Sequence, residues 1–277
     1  MQPLQQGGVQ RMTPVNEAVA LNDEGGVVRI TLNRPPANAL DLAMSERLYA
    51  VMREVSENPH AKVVRLSSAS DKIFCAGADV STVEAHDVAL MDKLGKVLKD
   101  TFLLMRTMPQ IIVAAVRGHC LGGGLELAVA ADFRLAQAGT AQWGLPEITL
   151  GLFPGGGAVA MLSRLLGPQK AFHLALSGKS ISVQEAQVWG LADEVWPAEE
   201  FSDAVDAFVN RIAQAPRQPL RDLKQAVWRG LEMPLAAAFD FERVMHRQLV
   251  VTPDCYEGVQ AFKERRRPVF GKEVDRS

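Results

Sequence analysis

The stretch that decides the fold is GHCLGGGLELAVAADFRLA, residues 118–136, in which a predicted strand ends, three glycines follow and an apolar helix begins. Glycines let a ligand approach the backbone closely because they carry no Cβ. The first N–H groups of a helix have no partner inside the helix, so a developing oxyanion can bind at the Gly123 N–H. Glu126 lies in an otherwise apolar helix, where a carboxylate is costly to bury unless it is paired, hydrogen-bonded or used. Both a functional role and simple complementation of the helix dipole remain open for Glu126.

Strand-like and helix-like segments alternate on both sides of this stretch. The strand-like segments are rich in Val and Ile, and each leads into a turn and a segment with helical apolar spacing. They are VVRITLN (27–33), AKVVRLSSA (61–69) and QIIVAAVRG (110–118). This alternation predicts an α/β fold with a parallel sheet covered by helices.

The organisation of the chain changes towards both ends. The first residues are polar and without periodicity, and from about residue 168 the sequence is mainly helical. We predict a loose N-terminal extension at 1–15, an α/β core at 16–200 and a helical region at 201–277.

Composition excludes several functional classes. The chain has 277 residues, 48% of them hydrophobic, with 30 basic against 32 acidic side chains and a formal charge of −2. No basic stripe favours nucleic acid, and no apolar run is long enough to span a membrane. Three widely spaced cysteines argue against a disulfide framework and favour a reducing, cytoplasmic location, and they offer no zinc spacing. No metal and no separate cofactor is expected, and motifs for nucleotide or dinucleotide binding are missing.

A second turn of interest is DKIFCAGADV, residues 71–80, which joins a strand to a helix through small residues. Its N–H groups are candidates for the other half of an oxyanion hole, which would suit acyl-thioester chemistry. The alternative is an ordinary turn with Asp79 near the helix start.

A second candidate acid is Glu147, which stands among apolar residues in Trp143–Leu150. Partial burial would raise the pKa of this carboxyl and suit it to proton transfer near neutral pH. With Glu126 it would form an acid/base pair. The alternative is a surface glutamate that follows a proline turn.

Together these segments resemble the crotonase superfamily, and specifically its enoyl-CoA hydratase/isomerase members, over about residues 20–270. The resemblance rests on motifs that occur in the family's order and spacing. They are Asn33-Arg34-Pro35, Asn38-Ala39-Leu40, Phe74-Cys75-Ala76-Gly77-Ala78-Asp79, Gly122-Gly123-Gly124-Leu125-Glu126-Leu127-Ala128, Pro146-Glu147 and Leu150-Gly151. The resemblance implies a crotonase-like spiral of ββα units with a helical C-terminal trimerisation region, in a homotrimer or hexamer.

The resemblance also implies roles for individual residues. The thioester oxygen would accept hydrogen bonds from the N–H groups of Ala78 and Gly123, Glu126 would activate water and Glu147 would exchange a proton at C2. Coenzyme A would belong to the substrate and bind beside Lys72. Further substrate contacts are expected from Ala76, Gly77, Asp79, Gly122, Trp143, Phe262 and Arg265, the last two from a neighbouring subunit.

The predicted function is the reversible addition of water across the 2,3 double bond of an enoyl-CoA. Alternatives on the same fold are an enoyl-CoA isomerase, a cyclic dienoyl-CoA hydratase and a thioesterase. A protein that binds acyl-CoA without converting it is a further alternative. Trp143 and the segment 152–158 differ from the usual family pattern, which leaves the acyl preference open.

Overall fold

The computed structural model of the chain describes residues 17–84 and 86–271, and the extension predicted at 1–15 lies outside them. The strands are short, and most precede a turn or helix, as the alternation predicts. They are β1 (Val19–Glu24), β2 (Val27–Leu32), β3 (Val63–Ser68), β4 (Ile73–Cys75), β5 (Ile111–Val116), β6 (His119–Leu121), β7 (Phe133–Gln137), β8 (Gln142–Gly144), β9 (Ser180–Ser182) and β10 (Glu194–Trp196).

The larger sheet has the strand order β1-β2-β3-β5-β7-β10. Its β1–β2 pair is antiparallel, and all its other pairs are parallel. Every residue of β5 is buried, which suits its uninterrupted apolar sequence to the middle of a parallel sheet covered on both faces.

A second, smaller sheet has the order β4-β6-β8-β9. The sequence predicted none of its strands as separate elements and placed β4 within a turn, because β4 and β6 have only three residues each and no visible alternation. The strands β3–β4 and β5–β6 therefore form consecutive strand pairs, each followed by a helix. This arrangement is the ββα repeat of the crotonase fold.

Helices cover the sheets and make up the described chain beyond β10 as far as Lys263. They are α1 (Leu42–Glu57), α2 (Val80–Glu84), α3 (Val88–Thr107), α4 (Gly123–Ala130), α5 (Ala158–Leu166), α6 (Pro168–Ser177), α7 (Val183–Trp189), α8 (Ala198–Ala213), α9 (Arg217–Gly230), α10 (Leu235–Val250) and α11 (Pro253–Lys263). A 3₁₀ turn spans Pro146–Leu150. Among the described residues, no helix combines the length and apolar character needed to cross a bilayer.

Two apolar cores lie on opposite faces of the larger sheet. One lies between the sheets and includes α1, α3 and α4. The other packs Phe201, Val205 and Val209 of α8 against the outer face. The predicted division at residue 200 falls inside α8, and the separation into two regions stays a prediction.

A buried ion pair anchors α9 to the core. Lys224 Nζ lies 2.8 Å from Asp132 Oδ2 and donates hydrogen bonds to the carbonyls of Met105 and Gln110 at 2.6 and 2.7 Å. Trp228 Nε1 donates to Asp132 Oδ1 at 2.6 Å. Because these contacts replace the water that the ammonium and carboxylate groups lose, α9 is held firmly beside α3.

Candidate active site

One wall of the site is the loop at residues 76–79, between β4 and α2. Ala76, Gly77 and Asp79 are hydrogen-bonded through their backbones to the preceding loop around Leu40. Leu40 N donates to Gly77 O at 2.7 Å, and Asp79 N donates to Leu40 O at 3.1 Å. These hydrogen bonds involve the residues on either side of Ala78, and the Ala78 N–H takes part in none of them.

The second wall is the beginning of α4, where Gly122 is the N-cap and Gly123 the first helical residue. A Cβ at Gly77 would stand only 3.0 Å from Gly123 N, so the two loops pack backbone against backbone. Within the described chain, neither the Ala78 nor the Gly123 N–H donates to another protein group. Two free donors from distant parts of the sequence therefore lie side by side, as an oxyanion hole requires.

The motif around Asn38 holds the 76–79 loop in place. Asn38 is 3% exposed, and its Nδ2 donates to Phe74 O and Ser68 Oγ at 2.9 and 2.8 Å. Its Oδ1 accepts from Arg34 N at 2.7 Å, and the Arg34 guanidinium binds Asp79 at 2.9 Å. Asp79 is therefore occupied in positioning the loop, and hydrogen bonds from Ser81 and then from Arg34 lower its pKa.

Glu126 is almost completely buried, with 3% of its surface exposed. Its Oε1 accepts hydrogen bonds from Gly156 N at 2.9 Å and Ala158 N at 3.1 Å. Ala158 is the first residue of α5, so the positive end of that helix faces the carboxylate. Burial raises the pKa of Glu126, while the backbone N–H groups oppose the shift. The carboxylate is thus fixed in position and ready to accept a proton.

Glu147 lies in the 3₁₀ turn and is only partly buried. Burial and the nearby charge of Glu126 raise its pKa to about 7. Its Oε2 is shielded from solvent and has no hydrogen-bond partner among the described residues. A carboxyl group with these properties can both donate and accept a proton near neutral pH.

A cavity of ≈ 710 Å³ lies between α3, α5 and α9, and Gly156, which donates to Glu126, is one of its lining residues. Its apolar walls include Phe102, Met161 and Trp228. The sequence linked residues 152–158 to the acyl preference, but it predicted neither the helical walls of this cavity nor the N–H groups that hold Glu126. The helix start after the Pro154-Gly-Gly-Gly segment was the available signal, because it frees N–H groups for an anion.

Comparisons with known proteins show the family of the chain. Residues 22–273 match the family model described as enoyl-CoA hydratase/isomerase. The chain belongs to this family. The short-chain-enoyl-CoA hydratase of Clostridium acetobutylicum is 32% identical over 250 residues, which cover 90% of this chain and 95% of that protein. The human mitochondrial enoyl-CoA hydratase domain-containing protein 2 is 35% identical over 250 residues, covering 88% and 85%. A crystal structure of enoyl-CoA hydratase from Bacillus anthracis aligns with a TM-score of 0.89 at 34% identity, covering 93% of this chain and 100% of that one.

The other residues that the enoyl-CoA hydratase/isomerase resemblance implied lie in different surroundings. Lys72 is exposed and directly precedes β4, and the 76–79 loop follows that strand. Trp143 is completely buried in the smaller sheet and does not line the cavity. Phe262 and Arg265 are exposed around the end of α11, and no hydrogen bond or ion pair of the described chain links them to Glu126. Contacts of these four residues with substrate stay predictions.

Proposed function

We propose that this member of the enoyl-CoA hydratase/isomerase family hydrates enoyl-CoA thioesters reversibly. The observation that carries the proposal is the presence of two carboxyl groups beside the free N–H groups of Ala78 and Gly123. Backbone N–H groups hold Glu126 as a proton acceptor, and Glu147, with a pKa of about 7, can give a proton. Hydration needs one group that takes a proton from water, one that gives a proton to carbon, and donors for the thioester oxygen.

The reaction follows from these positions. Glu126 removes a proton from water, and the water oxygen bonds to C3 of the enoyl group. The electron pair of the double bond moves towards the thioester oxygen, where the N–H groups of Ala78 and Gly123 stabilise the enolate. Glu147 then gives its proton to C2, and the pair of acids retains one proton in total.

A direct assay tests the proposal. Crotonyl-CoA mixed with the purified protein should lose its conjugated-thioester absorbance, and mass spectrometry should find a product heavier by one water. Longer enoyl-CoA thioesters extend the panel. If none of them is hydrated, the proposed function is wrong.

A double-bond isomerase is the second candidate. Because the pKa of Glu147 is about 7, this group can both remove and return a proton on a substrate carbon. Product mass separates the two activities, since isomerisation leaves the mass unchanged. Release of free coenzyme A thiol would instead indicate a thioesterase.

We propose further that coenzyme A enters along the 76–79 loop beside Lys72, and that the protein is a homotrimer or hexamer. Exposed apolar residues on the C-terminal helices support the assembly, among them Phe239, Val244, Tyr256 and Phe262. Light scattering should measure a molar mass three or six times that of one chain. A cytoplasmic location is supported by the free state of all three cysteines, and fractionation of cells tests it.

A further inference from the structure

The cavity beyond Glu126 has an uneven distribution of charge. The part of the cavity near Gly156 is apolar and is lined by Phe102. A Cβ built at Gly156 would stand 3.1 Å from the Phe102 ring. Gly156 both donates to Glu126 and lines the cavity, so under the proposed function an acyl chain with its C3 at Glu126 would extend into this part. One helical turn further along α3, about 6 Å away, stands Arg106.

Arg106 is a half-buried cation without an ion-pair partner in the described chain. Its Nη2 donates to the carbonyl of Val129 at 2.6 Å, and its guanidinium stacks on the Trp228 ring at 3.6 Å. Its Nε is buried without an acceptor among the described residues. Burial lowers the pKa of Arg106 to about 10, so the loss of water around the charge is not fully compensated.

The surrounding charges do not neutralise Arg106. The carboxylate whose charge acts on Arg106 is that of Asp132, and Asp132 already forms the buried ion pair with Lys224. Arg164, another cavity residue, is paired with Glu232 at 2.7 Å. Lys99 and Arg229 also line the cavity, so its wall carries a net positive charge and an anion would be favoured there.

We propose that this cavity accepts an acyl chain that ends in a carboxylate, and that Arg106 binds the carboxylate as a specificity-determining residue. The inference rests on the proposed hydratase function, and its substrate class is the mono-CoA thioesters of short 2-enedioic acids. The methylene groups lie against Phe102, Met161 and Trp228, and the terminal carboxylate accepts hydrogen bonds from the guanidinium.

The experiment compares matched substrates in one enzyme preparation. The mono-CoA thioesters of trans-pent-2-enedioic, hex-2-enedioic and oct-2-enedioic acids are each paired with the enoyl-CoA of the same length. We expect kcat/KM to favour the acid-ended member of at least one pair by about tenfold or more. Because each ratio is taken within one preparation, loss of folded protein cancels.

Two variants test the assignment to Arg106. Arg106→Gln should lower the acid-to-methyl ratio about 10- to 100-fold, and Arg106→Lys should retain part of the preference because it keeps a charge. The matched control is Arg229→Gln, a cation of the same cavity that stacks on Phe241 instead. We expect this control to change the ratio less than about threefold.

Binding of non-reacting ligands gives a readout that needs no turnover. Calorimetry should measure tighter binding of the mono-CoA thioester of hexanedioic acid than of hexanoyl-CoA, and Arg106→Gln should remove the difference. Hydration of hex-2-enoyl-CoA with no preference for any acid-ended substrate overturns this inference alone. An unchanged ratio in Arg106→Gln also overturns it. Absence of hydration with every substrate contradicts the proposed function instead.

Discussion

The surroundings of Glu126 and Glu147 differ although the two acids share one site. Glu126 is 3% exposed and receives two N–H groups at the beginning of α5, so its position and its ability to accept a proton are set by the backbone. Glu147 lies in a short 3₁₀ turn, with one oxygen unpartnered and a pKa of about 7. Different environments thus suit two identical side chains to the two roles proposed for them, a fixed base and a proton donor.

The largest effect is expected from neutralising either acid. Glu126→Gln and Glu147→Gln should each lower kcat for hydration by at least about a hundredfold, because the lost proton transfer is worth that much or more. Steady-state assays with crotonyl-CoA measure the effect, and circular dichroism checks folding. A Glu147→Gln protein with nearly full activity would remove Glu147 from its assigned role.

A smaller effect should follow from disturbing the support of Glu126. A Cβ at Gly156 would collide with Glu126 Oε2, so Gly156→Ala should displace the carboxylate and lower kcat about 10- to 100-fold. Gly155→Ala is the matched control, because nothing lies within 4 Å of a Cβ there. Equal activities for these two variants would show that the position of Glu126 is not critical.

The last effect concerns pH; it is small near neutral pH, grows above it and tests the role of Glu147. Hydration requires Glu147 protonated and Glu126 ionised, so kcat/KM should fall as pH rises through about 7, by about tenfold per unit well above it. Since the overall reaction releases no proton, kcat/KM for dehydration should fall in parallel. Initial rates in both directions measure this, with thermal melts at each pH as the control. A flat profile from about pH 6 to 9 would contradict the assignment.

The sequence predicted the two acids because each is a charge in an apolar setting. It also predicted the donors at Gly123 and around Ala78, since glycine-rich turns before helices have local signatures. The cavity was not predictable in this way. Its walls come from α3, α5 and α9, which are far apart in the chain, and Arg106 looks like an ordinary arginine near a helix end.

The short second sheet was missed for a related reason. Strands of three residues, such as β4 and β6, are too short to show the alternation by which strands are found. Their pairing depends on contacts with other strands rather than on their own sequence. The family resemblance supplied the ββα repeat that local patterns did not.

The anchoring of α9 by Lys224 and Asp132 has a consequence for how the molecule matures during synthesis. Both acids and both oxyanion donors belong to the first 158 residues, whereas the outer cavity wall arrives with residues 217–233. A nascent chain that lacks α9 would lack both the ammonium group of Lys224 and the indole N–H of Trp228, the two α9 groups that bind Asp132. The late helix therefore couples completion of the cavity to stabilisation of the earlier fold, and a shortened product would lose both together.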